Sequence, residues 1–123
     1  MIRSHHFSAI LTVTNAIANS TTADLLELLN RIVQAAGLNA VAEASATFSP
    51  QGISAVLLLE ESHVALHIWS ECRKATVDIH VCDYQQDNRL KAEKLADLLA
   101  VALTDGDCTN SKRAQWHSLE VMG

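Results

Sequence analysis

The segment around two adjacent glutamates constrains the fold more than any other part of the sequence. An apolar run over residues 53–59 stops at Glu60 and Glu61, and a second strand-like run over residues 63–69 follows almost at once. So short a connection predicts two antiparallel strands joined by a two-residue hairpin turn. Such turns prefer Asn-Gly or Asp-Gly, so Glu-Glu is poor turn chemistry. We therefore expect a strained peptide between Glu61 and Ser62, where strain would favour attack of the Ser62 hydroxyl on the Glu61 carbonyl.

The register of this hairpin and of the next one arranges polar side chains in two clusters. Counting from a turn that pairs Leu59 with Ser62 places Ser54 opposite His67. The next connection is short, and pairing Trp69 with Ala75 across it sets the register of the following strand. The same count then brings Cys82 opposite Ser62. The two expected clusters are therefore Ser62 with Cys82, and Ser54 with His67.

These clusters are too far apart to meet within one straight strand. Five residues at ~3.3 Å each separate Ser62 from His67 by about 16 Å, whereas catalytic partners need contact near ~3 Å. Either the strand bends sharply or the clusters meet across a dimer two-fold axis, where each cluster of one chain contacts the other cluster of its partner. The apolar run over residues 53–59 also predicts that both faces of its strand are covered. We prefer a homodimer with sites at the interface.

The rest of the chain completes an α+β pattern in a single domain, residues 1–123. Thr21 to Asp24 is a helix-start signal, Gly37 is a helix stop, and residues 15–22 form a polar connection. A second helix starts at Asp87 or Asn88 and ends at Asp105-Gly106. Strands are predicted at Phe7–Thr14, Asn39–Phe48, Ile53–Leu59, His63–Trp69, Ala75–Cys82 and about Gln115–Val121. Each helix has one apolar face, which favours a two-layer sandwich of an antiparallel sheet with two helices on one face.

Composition excludes several classes of function. The 123 residues are 49% hydrophobic and 19% charged, as in an ordinary folded domain, and the net charge of −5 argues against nucleic acid binding. No apolar run approaches the ~20 residues of a membrane helix, and polar residues interrupt the only signal-peptide-like stretch. The three cysteines show no CxxC pairing, so we expect no metal and a reducing, cytoplasmic location.

From the residues alone, structural explanations compete with a catalytic one. A Ser-His pair on a strand is usually structural, and Cys82 alone is most often a small buried hydrophobe. Glu60 and Glu61 could form a solvated turn. An unrelated small α+β binding module therefore stays open at this point.

A set of spaced motifs resembles the prokaryotic S-adenosylmethionine decarboxylases. The resemblance is strongest over about residues 47–82 and loose elsewhere. The motifs, in the family's order and spacing, are Phe48-x-Pro50-x-Gly52-Ile53-Ser54, Glu61-Ser62-His63, His67-x-Trp69-x-Glu71, Ala75-x-x-Asp78 and Cys82.

The resemblance implies a self-processing pyruvoyl enzyme, made as a zymogen. The Ser62 hydroxyl would attack the Glu61 carbonyl and form an ester, with Ser54 and His67 as processing helpers. β-Elimination would then leave residues 1–61 as the beta chain and residues 62–123 as the alpha chain, which begins with a pyruvoyl group made from Ser62. That carbonyl would form a Schiff base with the substrate amine and withdraw electrons as carbon dioxide leaves, without a metal.

The resemblance also assigns residues around a small-molecule substrate, with contributions from both subunits. Cys82 would be the acid that returns a proton to the α-carbon. Phe48 matches the ring that stacks on adenine and faces the sulfonium, a cation–π contact. Phe7 is a weaker match for the opposing ring. Glu71 matches the acid that holds the ribose hydroxyls, and the product would supply spermidine biosynthesis.

Two stretches depart from the family pattern and leave the substrate open. Residues 68–74 read Ile-Trp-Ser-Glu-Cys-Arg-Lys where the family usually has Thr-Trp-Pro-Glu-Tyr-Gly, and Cys82 is followed by Asp83 instead of glycine. A pyruvoyl decarboxylase of ornithine or arginine is one alternative, and an unprocessed, inactive regulatory homologue is another. Asp83 could bind a cationic side chain or merely face water.

Overall fold

A six-stranded antiparallel sheet forms the centre of the molecule. The computed structural model describes residues 1–104 and 116–123. The strands are β1 Arg3–Thr12, β2 Ala40–Thr47, β3 Ile53–Leu59, β4 Ser62–Trp69, β5 Lys74–Cys82 and β6 His117–Met122, and the helices are α1 Asn15–Ala18, α2 Thr22–Ala35 and α3 Arg89–Leu103. The strands lie in the order β2-β3-β4-β5-β1-β6, and all neighbouring pairs are antiparallel.

Both long helices pack on the same face of the sheet, as we predicted from their apolar faces. Helix α2 contacts β2 and β3, and α3 contacts β1 and β5. Between them and the sheet lie the fully buried side chains, the largest of which are Leu11, Leu25, Leu29, Leu57, Leu66, Ile79, Leu95, Leu99 and Leu103. The predicted α+β sandwich is therefore confirmed.

Local signals account for the helix ends. The Thr21 hydroxyl accepts a hydrogen bond from the Asp24 backbone N–H at 3.1 Å, so Thr21 is the N-cap of α2. Gly37 follows the helix at a φ of +83°, a conformation that favours glycine. Helix α3 starts after Asn88, one of the two predicted starts. The predicted stop at Asp105-Gly106 and the start of the last strand at Gln115 lie outside the described residues.

The largest departures from the predicted elements lie in the first part of the chain. The short helix α1 lies where a polar connection was expected, and the Thr14 hydroxyl caps it by accepting from the Ile17 N–H at 3.2 Å. Strand β1 starts at Arg3 and ends at Thr12, earlier than the predicted Phe7–Thr14. It starts earlier because it is a central strand, paired with β5 on one side and with β6 on the other.

Within residues 1–104 and 116–123, one face of the sheet carries no helix, and we call it the open face. In β3 the side chains alternate between buried and more exposed, and Leu58 on the open face is 49% exposed. The prediction that both faces of this strand are covered is therefore wrong for a single protomer. Other exposed apolar side chains on the open face are Ile10, Trp69, Leu119 and Val121.

The first hairpin has the predicted register and the second is shifted by one residue. Ser54 lies opposite His67, as predicted. However, Ala75 pairs with Ile68 instead of Trp69, because Lys74 already belongs to β5. A 3-10 helix at Ser70–Cys72 followed by Arg73 at φ +55° makes a tighter reversal than expected.

Candidate active site

The turn between β3 and β4 holds a buried serine against the backbone of the neighbouring strand. Glu61 has a φ of +59°, a left-handed conformation that costs a non-glycine residue about 1–2 kcal/mol. The next residue, Ser62, is only 7% exposed. Its hydroxyl oxygen accepts a hydrogen bond from the Cys82 backbone N–H at 3.0 Å. This backbone agrees with the strained peptide expected between Glu61 and Ser62.

The shifted register separates the Ser62 and Cys82 side chains that we predicted would face each other. Continuing the observed pairing by one residue places Val81 opposite Ser62, and Cys82 meets Ser62 through its backbone N–H. The Ser62 side chain follows the buried face of β4, whereas Cys82 lies on the open face of β5. We refer to Glu61, Ser62, His80 and Cys82 as the turn cluster.

The Cys82 thiol is held in its protonated form. Its burial, together with the negative charges of Glu61 and Asp83, raises the pKa of the thiol. His80 Nε2 lies 3.2 Å from Cys82 Sγ. Burial and the neighbouring His6 and His63 lower the pKa of His80, so this ring is held neutral. A neutral thiol beside a neutral imidazole is suited to giving up a proton.

His80 is the middle of a row of three histidines that the sequence reasoning did not include in the site. The His63 ring stacks on it at 5.0 Å between centroids, and the His6 ring meets it edge-on at 4.5 Å. His80 and Cys82 lie two residues apart on one strand, so alternation could have placed them on one face. The pairing of β1 with β5, which brings His6 alongside, has no local signal.

The Asp83 carboxylate is engaged by other residues of the chain, so it is neither a vacant site for a cationic ligand nor a group that only faces water. Its carboxylate lies 2.8 Å from His5 Nε2 and 3.5 Å from Arg3 Nε, and it accepts the Asn88 backbone N–H at 2.8 Å. Partial burial acts to raise the pKa of this carboxyl, but the Asn88 hydrogen bond and the charges of His5 and Arg3 outweigh it and lower the pKa. The Asn88 side-chain amide in turn donates to the Cys82 carbonyl at 2.9 Å. The network therefore fixes the backbone just after Cys82.

Four predicted site residues come together at the other end of the first hairpin. Ser54 Oγ and His67 Nδ1 lie 2.6 Å apart. They line a cavity of about 360 Å³ together with Phe48 and Glu71, a volume suited to a small ligand. We call Phe48, Ser54, His67 and Glu71 the pocket cluster.

Gln51 and Gly52, which were not among the predicted site residues, also line this pocket. The Gln51 side-chain amide donates to Glu71 Oε2 at 3.0 Å. Gly52 has a φ of +107°, and a Cβ there would lie 3.3 Å from the Ile68 carbonyl oxygen. Its own carbonyl accepts the Phe48 N–H at 2.8 Å, which closes the loop between these two residues. The Pro-x-Gly pattern signalled this turn but not the Gln51 contact.

Phe7 lies apart from the pocket cluster in the single chain. Its side chain is on the helix-covered side of β1, edge-on to the Trp116 ring at 6.4 Å between centroids. The chain therefore does not bring Phe7 opposite Phe48. The turn cluster is likewise separate, because Ser62 begins β4 and His67 lies five residues further along it.

Among the described residues, one group of side chains has its potential ligand atoms close enough together to hold a metal ion. The ligand atoms of His5, Asp83 and Asp87 lie within 4.8 Å of one another. Each already has a partner, since His5 and Asp83 contact each other and Asp87 accepts the Arg89 N–H at 2.8 Å.

No helix in the described ranges is both long and apolar enough to cross a membrane.

Comparison with known proteins identifies the family. The model of the S-adenosylmethionine decarboxylase family matches residues 5–113. The chain therefore belongs to the S-adenosylmethionine decarboxylase family. The fold agrees: the crystal structure of the adenosylmethionine decarboxylase from Aquifex aeolicus superposes with a TM-score of 0.73 over 98% of this chain and 88% of that one, at 23% identity.

Curated relatives match about half of the sequence. An S-adenosylmethionine decarboxylase proenzyme from Persephonella marina is 41% identical over 59 residues, which are 48% of this chain and 44% of the relative. One from Clostridium botulinum is 35% identical over 65 residues, 53% of this chain and 56% of the relative. The matched region thus spans about half the length of these relatives.

Proposed function

We propose that this chain is a self-processing, pyruvoyl-dependent S-adenosylmethionine decarboxylase that cuts itself between Glu61 and Ser62. The observation that carries the proposal is the buried Ser62 hydroxyl, held by the Cys82 N–H directly after a left-handed Glu61. Membership of the family supports it, and so do the two relatives that are named proenzymes. The product would be the aminopropyl donor for spermidine synthesis.

The turn cluster suits the cleavage chemistry. Attack of Ser62 Oγ on the Glu61 carbonyl carbon forms an ester as the carbon–nitrogen bond of the peptide breaks. Breaking this bond would release the left-handed conformation of Glu61. Cys82 N–H fixes the hydroxyl oxygen, which leaves its proton for a base. We assign the uptake of this proton during processing to Ser54 and His67, whose side chains lie 2.6 Å apart.

Residues around Ser62 also suit a pyruvoyl group at that position. Such a group supplies an electron-withdrawing carbonyl that stabilises the carbon losing carbon dioxide. The Cys82 N–H that holds the serine oxygen is a donor available to an oxygen there. The raised pKa of Cys82 keeps its thiol protonated at neutral pH, which fits its role as the acid that returns a proton to substrate.

The pocket cluster fits the expected substrate. Phe48 is 53% exposed, so its face is open to stack on adenine and to attract a sulfonium. The Glu71 carboxylate, oriented by Gln51, can accept hydrogen bonds from two neighbouring ribose hydroxyls. Asp83, the group that would favour a second amine as in ornithine or arginine, is already engaged by His5 and Arg3.

A homodimer would complete the site. Within one protomer the pocket cluster and the turn cluster lie at opposite ends of β4, about 16 Å apart. The open face carries exposed Leu58 and Trp69 as well as the exposed His67. A two-fold axis through this face would bring each turn cluster to the pocket cluster of its partner, twice over. Such a dimer would also remove the exposed apolar side chains from water.

The mass of the denatured protein tests the cleavage. We expect the 13.4 kDa chain to split before Ser62 into two fragments, the second without a free amine. The Ser62→Ala variant should stay intact, while the matched control Ser20→Ala, in a loop far from the turn, should split normally. A cleaved Ser62→Ala protein would refute the assigned bond, and an intact wild-type chain would favour an inactive regulatory homologue.

Release of carbon dioxide then tests the substrate. Processed protein should decarboxylate carboxyl-labelled S-adenosylmethionine and leave ornithine and arginine unchanged. Turnover of either amino acid without turnover of S-adenosylmethionine would replace this substrate assignment and leave the pyruvoyl chemistry standing.

A further inference from the structure

We propose that His80 is the positioning residue that returns a proton to Cys82 after each turnover, an inference that rests on the proposed function. His80 Nε2 lies 3.2 Å from Cys82 Sγ, and among the described side chains no other titratable group has a hydrogen bond to that sulfur. Once Cys82 gives its proton to substrate, the thiolate that remains sits in partly buried surroundings next to Glu61 and Asp83. A thiolate is poorly tolerated there, so its reprotonation needs an adjacent donor.

The surroundings of His80 keep this ring neutral and aligned. His6 on β1 meets it edge-on, His63 on β4 stacks on it, and Cys82 lies beside it on its own strand. Asp78, one further position along the same face of β5, is hydrogen-bonded to Ser8. Burial and the two neighbouring histidines lower the pKa of His80, which disfavours a permanent positive charge on this ring. A neutral His80 leaves Cys82 as a thiol, whereas a charged one would favour a thiolate, which has no proton to give.

The proton balance of the cycle closes with water. The Cys82 S–H bond breaks as a carbon–hydrogen bond forms on the carbon that lost carbon dioxide. His80 then gives its Nε2 proton to the sulfur while its Nδ1 takes a proton from water, leaving hydroxide in solution. The ring stays neutral and changes tautomer, and exchange with solvent restores the original form. One water proton thus reaches the product in each turnover.

Two variants of His80 separate proton return from packing. In His80→Gln the side chain keeps polar volume but cannot relay a proton, and in His80→Ala it leaves a space beside the sulfur. We expect both proteins to self-cleave, with KM within twofold of wild type. We expect kcat to fall at least about tenfold, less than the roughly hundredfold or more lost with an acid or base that acts on substrate directly. Added imidazole should restore kcat of His80→Ala in proportion to its concentration. It should not affect wild type.

The matched control is His6→Phe, which keeps a ring against His80 but does not touch Cys82. Its kcat at neutral pH should stay within twofold of wild type. A kcat near wild type in both His80 variants overturns the proposal. So does a low kcat in His80→Ala that imidazole does not raise, because that would assign His80 to packing alone. If His80→Ala fails to fold, the kcat of His80→Gln decides.

Failure of this inference is distinguishable from failure of the proposed function. Wild-type protein that cleaves and releases carbon dioxide, together with fully active His80 variants, rejects the His80 role alone. Wild-type protein that neither cleaves nor releases carbon dioxide rejects both.

Discussion

The turn cluster and the pocket cluster occupy the two ends of one hairpin and differ in how they are held. Ser62 and Cys82 are joined through a backbone hydrogen bond, and the Asp83 network fixes the following residues from β1 and from the start of α3. The side chains of Ser54 and His67 contact each other on the open face, where His67 is exposed. A single chain therefore builds the turn cluster in full but leaves the pocket cluster open on one side. The homodimer proposed above would close that open side.

The largest effect should come from removing His67, the base proposed for processing. We expect His67→Ala to slow self-cleavage by at least about a hundredfold, because Ser62 then lacks a group to take its proton. His67 is exposed, so the urea midpoint of the uncleaved variant should be no lower than that of uncleaved Ser62→Ala, which lacks a buried hydrogen bond. A time course of denatured mass measures the cleavage. Normal cleavage of His67→Ala would break the comparison, because the turn cluster would then be sufficient alone.

A smaller effect, on stability, should be confined to the turn end. Asp83→Asn removes a carboxylate that is 15% exposed and bonded to Asn88 and His5, and should reduce the free energy of unfolding by about 1–3 kcal/mol at neutral pH. The pKa of folded Asp83 is lowered, so its contribution is present above the ordinary carboxyl pKa and is lost as pH falls through the folded pKa. The difference from wild type should therefore shrink in acid.

Urea unfolding across pH measures this difference. The matched control Glu71→Gln alters an exposed carboxylate of the pocket cluster and should leave stability unchanged. Equal destabilisation by both variants, or a difference that grows as pH falls, would contradict the contrast between the two ends.

The smallest effect should come from the Gln51 contact. Gln51→Ala removes one exposed hydrogen bond to Glu71, which should raise KM about two- to tenfold, the range expected for one such bond. Cleavage and kcat should not change, because Gln51 does not contact the turn cluster. Steady-state kinetics with Gln86→Ala, another exposed loop glutamine, as control would measure it. A fall in kcat at constant KM would assign Gln51 a different role.

Local rules predicted the parts of this arrangement that short turns determine. A two-residue turn leaves no freedom of register, so the Ser54–His67 pair followed from counting alone. The predicted register of the second hairpin was wrong by one residue. Nothing in the residue types of Ser70 to Lys74 signals that Arg73 adopts a left-handed conformation. One residue was enough to replace a side-chain pairing of Ser62 and Cys82 by a backbone contact.

Long-range pairing accounts for what the sequence could not predict. His80 gains its neighbour His6, and Asp83 gains Arg3 and His5, only because β1 inserts between β5 and β6. These partners lie more than seventy positions away in the chain, and no periodicity connects them. The helices were easier to predict, because caps such as Thr21 and the spacing of apolar side chains depend on residues that are close in sequence.

Co-expression of two inactive variants tests the central claim most directly. Ser62→Ala has an intact pocket cluster but no nucleophile, and His67→Ala has the nucleophile but no base. If the site forms across a two-fold axis, a mixed dimer contains one complete site, and the His67→Ala chain, intact when expressed alone, is cut when Ser62→Ala is present. Denatured mass with one chain tagged would show this. A His67→Ala chain that stays intact in the mixed dimer would contradict the account.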